Sequence, residues 1–384
     1  MFFKIINDRG GIKMVEFITM APTSGDGEYV GTVNVGEKFD GWTGTSESAS
    51  RLATPEYIQA IAKATEEGGF STLLLPVGAN CLDSLVLAAN LIAHTDKLNI
   101  LFAVRPGFVS PTVFAKQFAT LDQWSNGRVH FNIVTGGSPA ELGADGDFLD
   151  HDARYRRTKE FIQILNRLFS GETFDYNGEF YQLKNAKLLV KPTKRPQVFF
   201  GGSSPIAKKV AAELADVYML WGETLENTKI ELDEIKKLVA EQQREVSYSI
   251  SFQIVLGDTE EEAWNNANKL ISRIDHAALE FKNGLNTNGE AVGVKRLHHL
   301  MEDSKENNFK IGPNLWAGLT QVLSGNSIAL VGTPDQIADR IVEFVELGFD
   351  KVLLRGFPHL ETAQNVATYI IPRVKERLAK KQLA

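Results

Sequence analysis

Two Gly-rich polar segments of the chain have the composition of ligand-binding loops. Gly201-Gly202-Ser203-Ser204-Pro205 follows an apolar run and leads straight into a helical one. Pro205 suits the first helical position and Ser204 the N-cap. The helix start then offers free backbone N–H groups and the positive end of its dipole, which together can cradle a phosphate. A plain helix cap would read the same way, so both meanings stand at this level. The second segment is Asn132-Ile133-Val134-Thr135-Gly136-Gly137-Ser138. Here Gly136 lets a ligand approach the backbone, while Asn132 and Thr135 supply amide and hydroxyl contacts. An ordinary turn between strand and helix would look similar. Cys81, in PVGANCLD, is the sole cysteine; it is either a small buried hydrophobe or a reactive thiol.

Other chemistries leave no trace. The seven histidines form no HExxH or comparable ligand spacing, so no metal is expected. There is no GxSxG elbow, and no lysine at a strand end marks a Schiff base. A chain lacking an evident nucleophile, metal or acid/base pair needs a cofactor for difficult chemistry.

The elements that must hold these loops alternate along the chain. Apolar runs begin at Val15, Ser71, Asn99, Val129, Gln197, Asp216, Ser249 and Lys351, and amphipathic helical runs separate them. Most of the runs are continuously apolar, as strands buried on both faces must be. One unit recurs: Thr54-Pro55 and Thr333-Pro334 each open a helix that closes at Gly69 or Gly348 ahead of a phenylalanine and the next strand. Roughly eight such units give an α/β fold of the (β/α)8 TIM-barrel type with insertions. The rival, a doubly wound sheet, lacks its GxGxxG after the first strand. In a barrel the loops after the strands carry the chemistry, and both Gly-rich segments are such loops. Residues 1–14 read as an N-terminal extension and 15–384 as one barrel domain. A segment from Gly171 reads as a hairpin turning on Asn177-Gly178 in a type I′ turn. A polar insertion at about 277–313, after the seventh strand, is long enough for a lid.

Composition narrows the class. With 384 residues, 43% hydrophobic and 23% charged, the chain can bury a full core without disulfides or metal. The net charge of −7 without basic runs argues against nucleic acid and anionic membrane surfaces. No apolar segment approaches a bilayer span, the opening residues lack a signal-peptide core, and one cysteine makes no intrachain disulfide, so a cytoplasmic protein is expected.

The chain resembles the bacterial luciferase-like flavin monooxygenases, most closely the reduced-FMN-dependent alkanesulfonate monooxygenase group, from about Val15 onward. The carriers are PTSGDGEYVG, the Cys81 segment, SPTVFAKQFATLDQWSNGR, NIVTGGSPAEL, FLDHDARY, GGSS, PNLWAG and GFPHLE, in that order. The resemblance implies a two-component enzyme: an NAD(P)H-dependent flavin reductase delivers reduced FMN, oxygen adds at the flavin C4a, and the peroxyflavin oxygenates a small organosulfur compound. For an alkanesulfonate the products are an aldehyde and sulfite. It also implies that Asn132 and Thr135 touch the flavin ring, that Tyr155, Gly202, Ser203 and Ser204 hold its phosphate, and that Cys81 stands beside the flavin. The long insertion matches the group's lid, and a homodimer or homotetramer is expected.

The departures fall on the substrate side. Ser24 stands where the group has a histidine in its first loop, and Ser251 and Gln253 replace an arginine and a histidine on strand seven. Leu323 replaces an arginine after PNLWAG, and Phe357 replaces a tyrosine on strand eight. An anionic sulfonate needs cationic partners. Arg355 stands where the group has a small residue. Two positions before Phe357, it is expected on the same strand face, where it supplies a relocated cation or else pairs with a neighbouring carboxylate or lies at the barrel rim. Arg105, at the end of strand three, is a further substrate or supporting residue. His130 is expected to be structural; His151 and His359 stand in matching motifs, where each either serves the site or simply bonds a backbone carbonyl. Alongside alkanesulfonate, three readings remain: a neutral sulfone or other small molecule as substrate, a deazaflavin-dependent oxidoreductase, and a non-catalytic flavin-binding barrel.

Overall fold

The computed structural model describes residues 5–6, 12–13, 15–23, 25–31, 51–79, 81–274, 291–323 and 325–382. Eight parallel strands make the barrel: β1 (Glu16–Met20), β2 (Thr72–Leu75), β3 (Asn99–Val104), β4 (Val129–Ile133), β5 (Val198–Gly201), β6 (Val217–Trp221), β7 (Ser247–Leu256) and β8 (Lys351–Arg355). Each pairs with the next, and β8 closes on β1 with Lys351 opposite Glu16 and Val352 opposite Phe17. All eight coincide with apolar runs read from the sequence, and the fold is a (β/α)8 barrel.

The helices are α1 (Pro55–Glu67), α2 (Ser84–Ile92), α3 (Pro111–Ser125), α4 (Pro139–Ala144), α5 (His151–Ser170), α6 (Pro205–Leu214), α7 (Leu225–Glu241), α8 (Glu260–Leu270), α9 (Val292–Asp303), α10 (Pro334–Leu347), α11 (His359–Asn365) and α12 (Ile371–Gln382). The recurring Thr-Pro unit works as its chemistry requires. The Thr54 hydroxyl accepts the Tyr57 N–H at 3.3 Å, and Thr333 forms a full capping box with Gln336. The helices of both units end in left-handed glycines, Gly69 at φ +77° and Gly348 at φ +118°.

Alternation along the strands splits the apolar side chains into two layers. Inside the barrel lie Ile18, Leu74, Leu101, Phe199, Val217 and Leu353. Outside, between strands and helices, sits a larger core in which Phe114, Phe118, Phe131 and Phe161 stack, with Phe114 edge-on to Phe131 at 5.4 Å.

Strand β7 is ten residues long and, besides β6 on one edge, serves two partners along the other. Its Ser249–Gln253 portion pairs with β8, while Gln253–Leu256 pairs with Ala329–Gly332, which is extended by antiparallel strands Leu315–Trp316 and Lys310–Gly312. This plank covers a satellite core of Trp316, Leu319, Val322, Leu323 and Val331. The sequence reading missed it: Lys310–Gly312 fell inside the polar insertion, and the two- and four-residue strands after it are too short to announce themselves. Of that insertion, residues 277–290 lie outside the described residues. From Val292 the chain is amphipathic helix α9, with Leu297 and Met301 buried.

The hairpin after α5 forms, but not on the expected turn. Strands Phe174–Asn177 and Gln182–Ala186 are joined by residues 178–181, and neither Asn177 nor Gly178 takes the positive φ that a type I′ turn requires. The loop is instead organised from α5. The Glu160 carboxylate accepts the N–H groups of Glu179, Phe180 and Tyr181 at 2.6, 3.1 and 3.2 Å.

Candidate active site

A cavity of about 290 Å³ lies among the C-terminal ends of the barrel strands, where this fold keeps its chemistry. Met20, Leu74, Leu220 and Leu353 give it apolar walls. Its polar groups collect in two places.

The first lies at β4 and β5. Asn132 and Thr135 enter the wall from the end of β4, Gly201 to Ser204 from the end of β5, and Tyr155 from α5. The Ser204 hydroxyl accepts the Ala207 N–H at 3.3 Å and Pro205 occupies the first position of α6, so the helix start faces the cavity as the sequence suggested. Gly202 has φ +144°; a Cβ there would stand 2.8 Å from the Ala207 Cβ and 3.0 Å from the Tyr155 hydroxyl. That space is available only to glycine. The Tyr218 hydroxyl donates to the Gly202 carbonyl at 2.5 Å and pins the loop. Burial pushes the Tyr155 phenol up, so it stays a neutral donor at physiological pH. Beside it, the hydroxyls of Ser204 and the buried Thr135 bond the Tyr155 side chain and oppose that shift. Gly136, at φ +89°, turns the chain beneath Thr135.

The second lies at β7 and β8, roughly across the ring. Arg355 is 2% exposed and enters the cavity wall with Ser251 and Asn326. Its guanidinium donates to Met20 Sδ at 3.3 Å and to the Asn326 carbonyl at 3.4 Å. Burial pushes it down to about 10, with the nearby Cys81 thiol acting in the opposite direction. It remains a cation at neutral pH, in a setting where an anion would offset its desolvation.

The other residues singled out in the sequence divide. Ser251 lines the cavity, its hydroxyl donating to the Leu220 carbonyl at 3.3 Å. Gln253 is fully buried outside the cavity wall; its Nε2 donates to the Asn326 carbonyl at 2.8 Å, and its Oε1 completes no hydrogen bond among the described residues. Cys81 is also outside the wall, bonded to Thr23 by its side chain, and burial pushes its thiol up. It is a protonated thiol at neutral pH rather than a ready nucleophile. Arg105 is engaged by Glu141 at 2.5 Å and Asp145 at 3.4 Å. It fastens the loop after β4 instead of lining the cavity. Leu323 packs into the satellite core, and Phe357 joins that core from its edge, so neither enters the wall. The expected shared face of Arg355 and Phe357 fails because β8 ends at Arg355 and strand alternation ends with it. Ser24 lies outside the described residues.

The histidines correct the expectation of carbonyl partners. His151 Nδ1 meets Asp152 at 2.7 Å, and His359 Nδ1 meets the fully buried Asp26 at 3.0 Å. Asp26 also accepts the Tyr57 hydroxyl at 2.6 Å and the His359 N–H at 2.6 Å. His130 is structural: its Nδ1 accepts the Gln197 N–H at 3.4 Å, deep in the barrel.

Three participants escaped the sequence reading. Trp221 ends β6 and lines the cavity, with Gly293 and Gly325 close enough that a Cβ on either would come within 3.0 and 2.7 Å of its ring. Its place at a strand end was the available signal. Asn326 joins Gln253 to Arg355 through one carbonyl, a contact no spacing reveals. Arg296, on α9, lines the cavity and pairs with Glu223 and Glu231. Among the described residues no group of three or more His, Cys, Asp or Glu is placed to hold a metal ion, and no helix is long and apolar enough to cross a membrane.

A parallel barrel whose mouth holds a cavity lined by a helix start and a buried arginine has the architecture of a (β/α)8 barrel enzyme. The family model described as luciferase-like monooxygenase matches residues 32–351, and the chain belongs to that family. Solved structures share the fold. Riboflavin lyase RcaE, solved with modified FMN and its substrate riboflavin, has a TM-score of 0.74 at 20% identity over 95% of this chain and 92% of its own. DmoA from Hyphomicrobium sulfonivorans has 0.74 at 18% over 95% and 88%. EDTA monooxygenase EmoA from Chelativorans sp. BNC1 has 0.71 at 17%, over 94% of each chain.

Proposed function

We propose that the protein is the oxygenating half of a two-component system. Reduced FMN, supplied by a separate NAD(P)H-dependent flavin reductase, binds in the cavity, and a small organosulfur anion, an alkanesulfonate by default, is the substrate. The observation that carries this reading is a single cavity with an anion cradle at β5 and α6 and a buried cation, Arg355, across the barrel.

The residues present fit FMN. Thr135 brings a buried hydroxyl to the wall beside the Tyr155 phenol, and Gly202 keeps open a space that any side chain would fill. Ser203, Ser204, Tyr155 and the start of α6 would hold the phosphate, and Asn132 and Thr135 the polar edge of the ring. When bound, reduced FMN supplies the two electrons that let one atom of O2 enter the substrate while the other leaves as water. For RCH2SO3⁻ the balance is RCHO, sulfite, water, oxidised FMN and one proton. The chain's own part is positional: Arg355 orients the sulfonate, Ser251 offers a hydroxyl beside it, and the apolar walls with α9 exclude bulk water. The protonated Cys81 thiol stands near Arg355 without taking its charge.

The test is turnover under air with a generic flavin reductase, offering alkanesulfonates of graded chain length alongside neutral dialkyl sulfones. Sulfite from the sulfonates supports the reading. Turnover of the sulfones alone moves the substrate to the neutral class. No turnover of either, with tight binding of oxidised FMN, marks a flavin-binding barrel without catalysis.

A further inference from the structure

The indole of Trp221 stands between the two polar ends of the cavity. Trp221 is the last residue of β6, lines the cavity and lies opposite Ser251 of β7 in the sheet register. Two glycines come against its six-membered ring. A Cβ on Gly293 of α9 would lie 3.0 Å from Cζ3 and 3.3 Å from the Ser203 hydroxyl, so this side of the indole is next to the cradle. A Cβ on Gly325 would lie 2.7 Å from Cζ2 and 2.8 Å from Cη2. Gly325 precedes Asn326, whose carbonyl accepts the Arg355 guanidinium, so that side of the ring is next to the buried cation. Backbone already touches the indole in both directions, and it has no room to retreat in either.

The space around it is small. At about 290 Å³ the cavity is at the lower end of the roughly 300–1,000 Å³ that ligand sites enclose, and a bound flavin leaves only part of it. Beside Arg355 that remainder is bounded by Met20, Leu353 and the indole. Met20 Sδ accepts the guanidinium at 3.3 Å, and Leu353 is buried inside the barrel, so neither side chain is free to make way. A close-packed wall of this kind does not take up an extra methylene without displacing a neighbour.

We propose that Trp221 is the specificity-determining residue that confines the substrate to a short carbon chain, about three carbons or fewer. This deepens the sulfonate reading above and rests on it. With the anionic head at Arg355, a longer chain meets the indole, and each methylene beyond the limit must displace the ring or the flavin. Gly293 and Gly325 hold the ring in place, so the loss falls on substrate binding and is expressed in KM.

The test is the chain-length profile of sulfite release from methanesulfonate to decanesulfonate, under air with a generic flavin reductase. Anaerobic calorimetry of the same sulfonates on protein saturated with reduced FMN reads binding without turnover. In the wild type kcat/KM falls about tenfold for each carbon past the limit, through KM, and calorimetric affinity falls with it. Trp221→Ala gains about tenfold or more on octanesulfonate and loses a few-fold on ethanesulfonate, and Trp221→Phe lies between. Urea unfolding of each variant accompanies the profiles, and the wild-type profile reads the limit whether or not Trp221→Ala folds. A wild type that takes octanesulfonate as well as ethanesulfonate, or a folded Trp221→Ala that loses all chain lengths alike, overturns the inference alone. No sulfite from any sulfonate overturns the sulfonate reading and this inference with it.

Discussion

Replacing Arg355 by methionine separates its service to substrate from its cost to the fold. The side chain is 2% exposed, and burial pushes its guanidinium down to about 10. That displacement corresponds to about 3 kcal/mol against the charged form in the ligand-free protein. The sign follows from linkage. The penalty is fully in place below about pH 10 and is relieved only as the pH rises above it, so at neutral pH the arginine destabilises the empty barrel. Methionine fills similar space beside Met20 without a charge, and the ligand-free variant should be at least as stable as the wild type. For an anionic substrate the balance reverses. Losing a buried, charge-assisted partner costs about 3 kcal/mol, which is roughly 150-fold in kcat/KM and is expressed mainly in KM. Steady-state sulfite release measures the first quantity and urea unfolding the second. The wild-type KM should stay flat through neutral pH and rise as the pH passes about 10. An unchanged KM for sulfonates in Arg355→Met, with flavin affinity intact, would refute the assignment.

Ser204→Ala removes the cap of α6, costing about 1 kcal/mol of stability, and should weaken FMN more than riboflavin in titration. Gly202→Ala places a Cβ 2.8 Å from Ala207 in a positive-φ position; it should cost about 1–3 kcal/mol in urea unfolding and abolish tight flavin binding, and a fully stable, flavin-binding variant would contradict the cradle geometry. His130, pushed down to about 4 by burial and then by Lys194 and Lys351, contributes stability present above its ordinary value near 6.5 and lost as pH falls towards 4. The loss is about 3 kcal/mol, and His130→Gln should flatten that stretch of the stability profile. Cys81, raised by burial, should alkylate with iodoacetamide more slowly than a free thiol at neutral pH; rapid labelling would show a thiolate.

The barrel was legible because its strands are buried on both faces and read as unbroken apolar runs, and because Thr-Pro at helix starts and Gly at helix ends are local signals. The cradle was legible for the same reason: Ser204, Pro205 and Gly202 act through short-range backbone geometry. Arg355 was singled out by its parity with Phe357, with a rim or carboxylate-paired position as the alternative; the parity does not hold because the strand ends at Arg355, and the arginine lines the cavity while Phe357 does not. Arg105 looked like a substrate ligand because nothing local announces that Glu141 and Asp145, some forty residues on, turn back to claim it. Arg296 and Glu231 belong to elements 65 residues apart, and their meeting is a property of tertiary packing alone. The turn at Asn177-Gly178 obeyed Glu160 rather than its own propensity.

The most direct test of the account is a crystal structure of the protein with reduced FMN and an alkanesulfonate. The account predicts the phosphate against Ser203, Ser204 and Tyr155 at the start of α6, and the sulfonate oxygens within hydrogen-bond distance of the Arg355 guanidinium across the cavity. A flavin bound with its phosphate elsewhere, or a sulfonate held without Arg355, would contradict it.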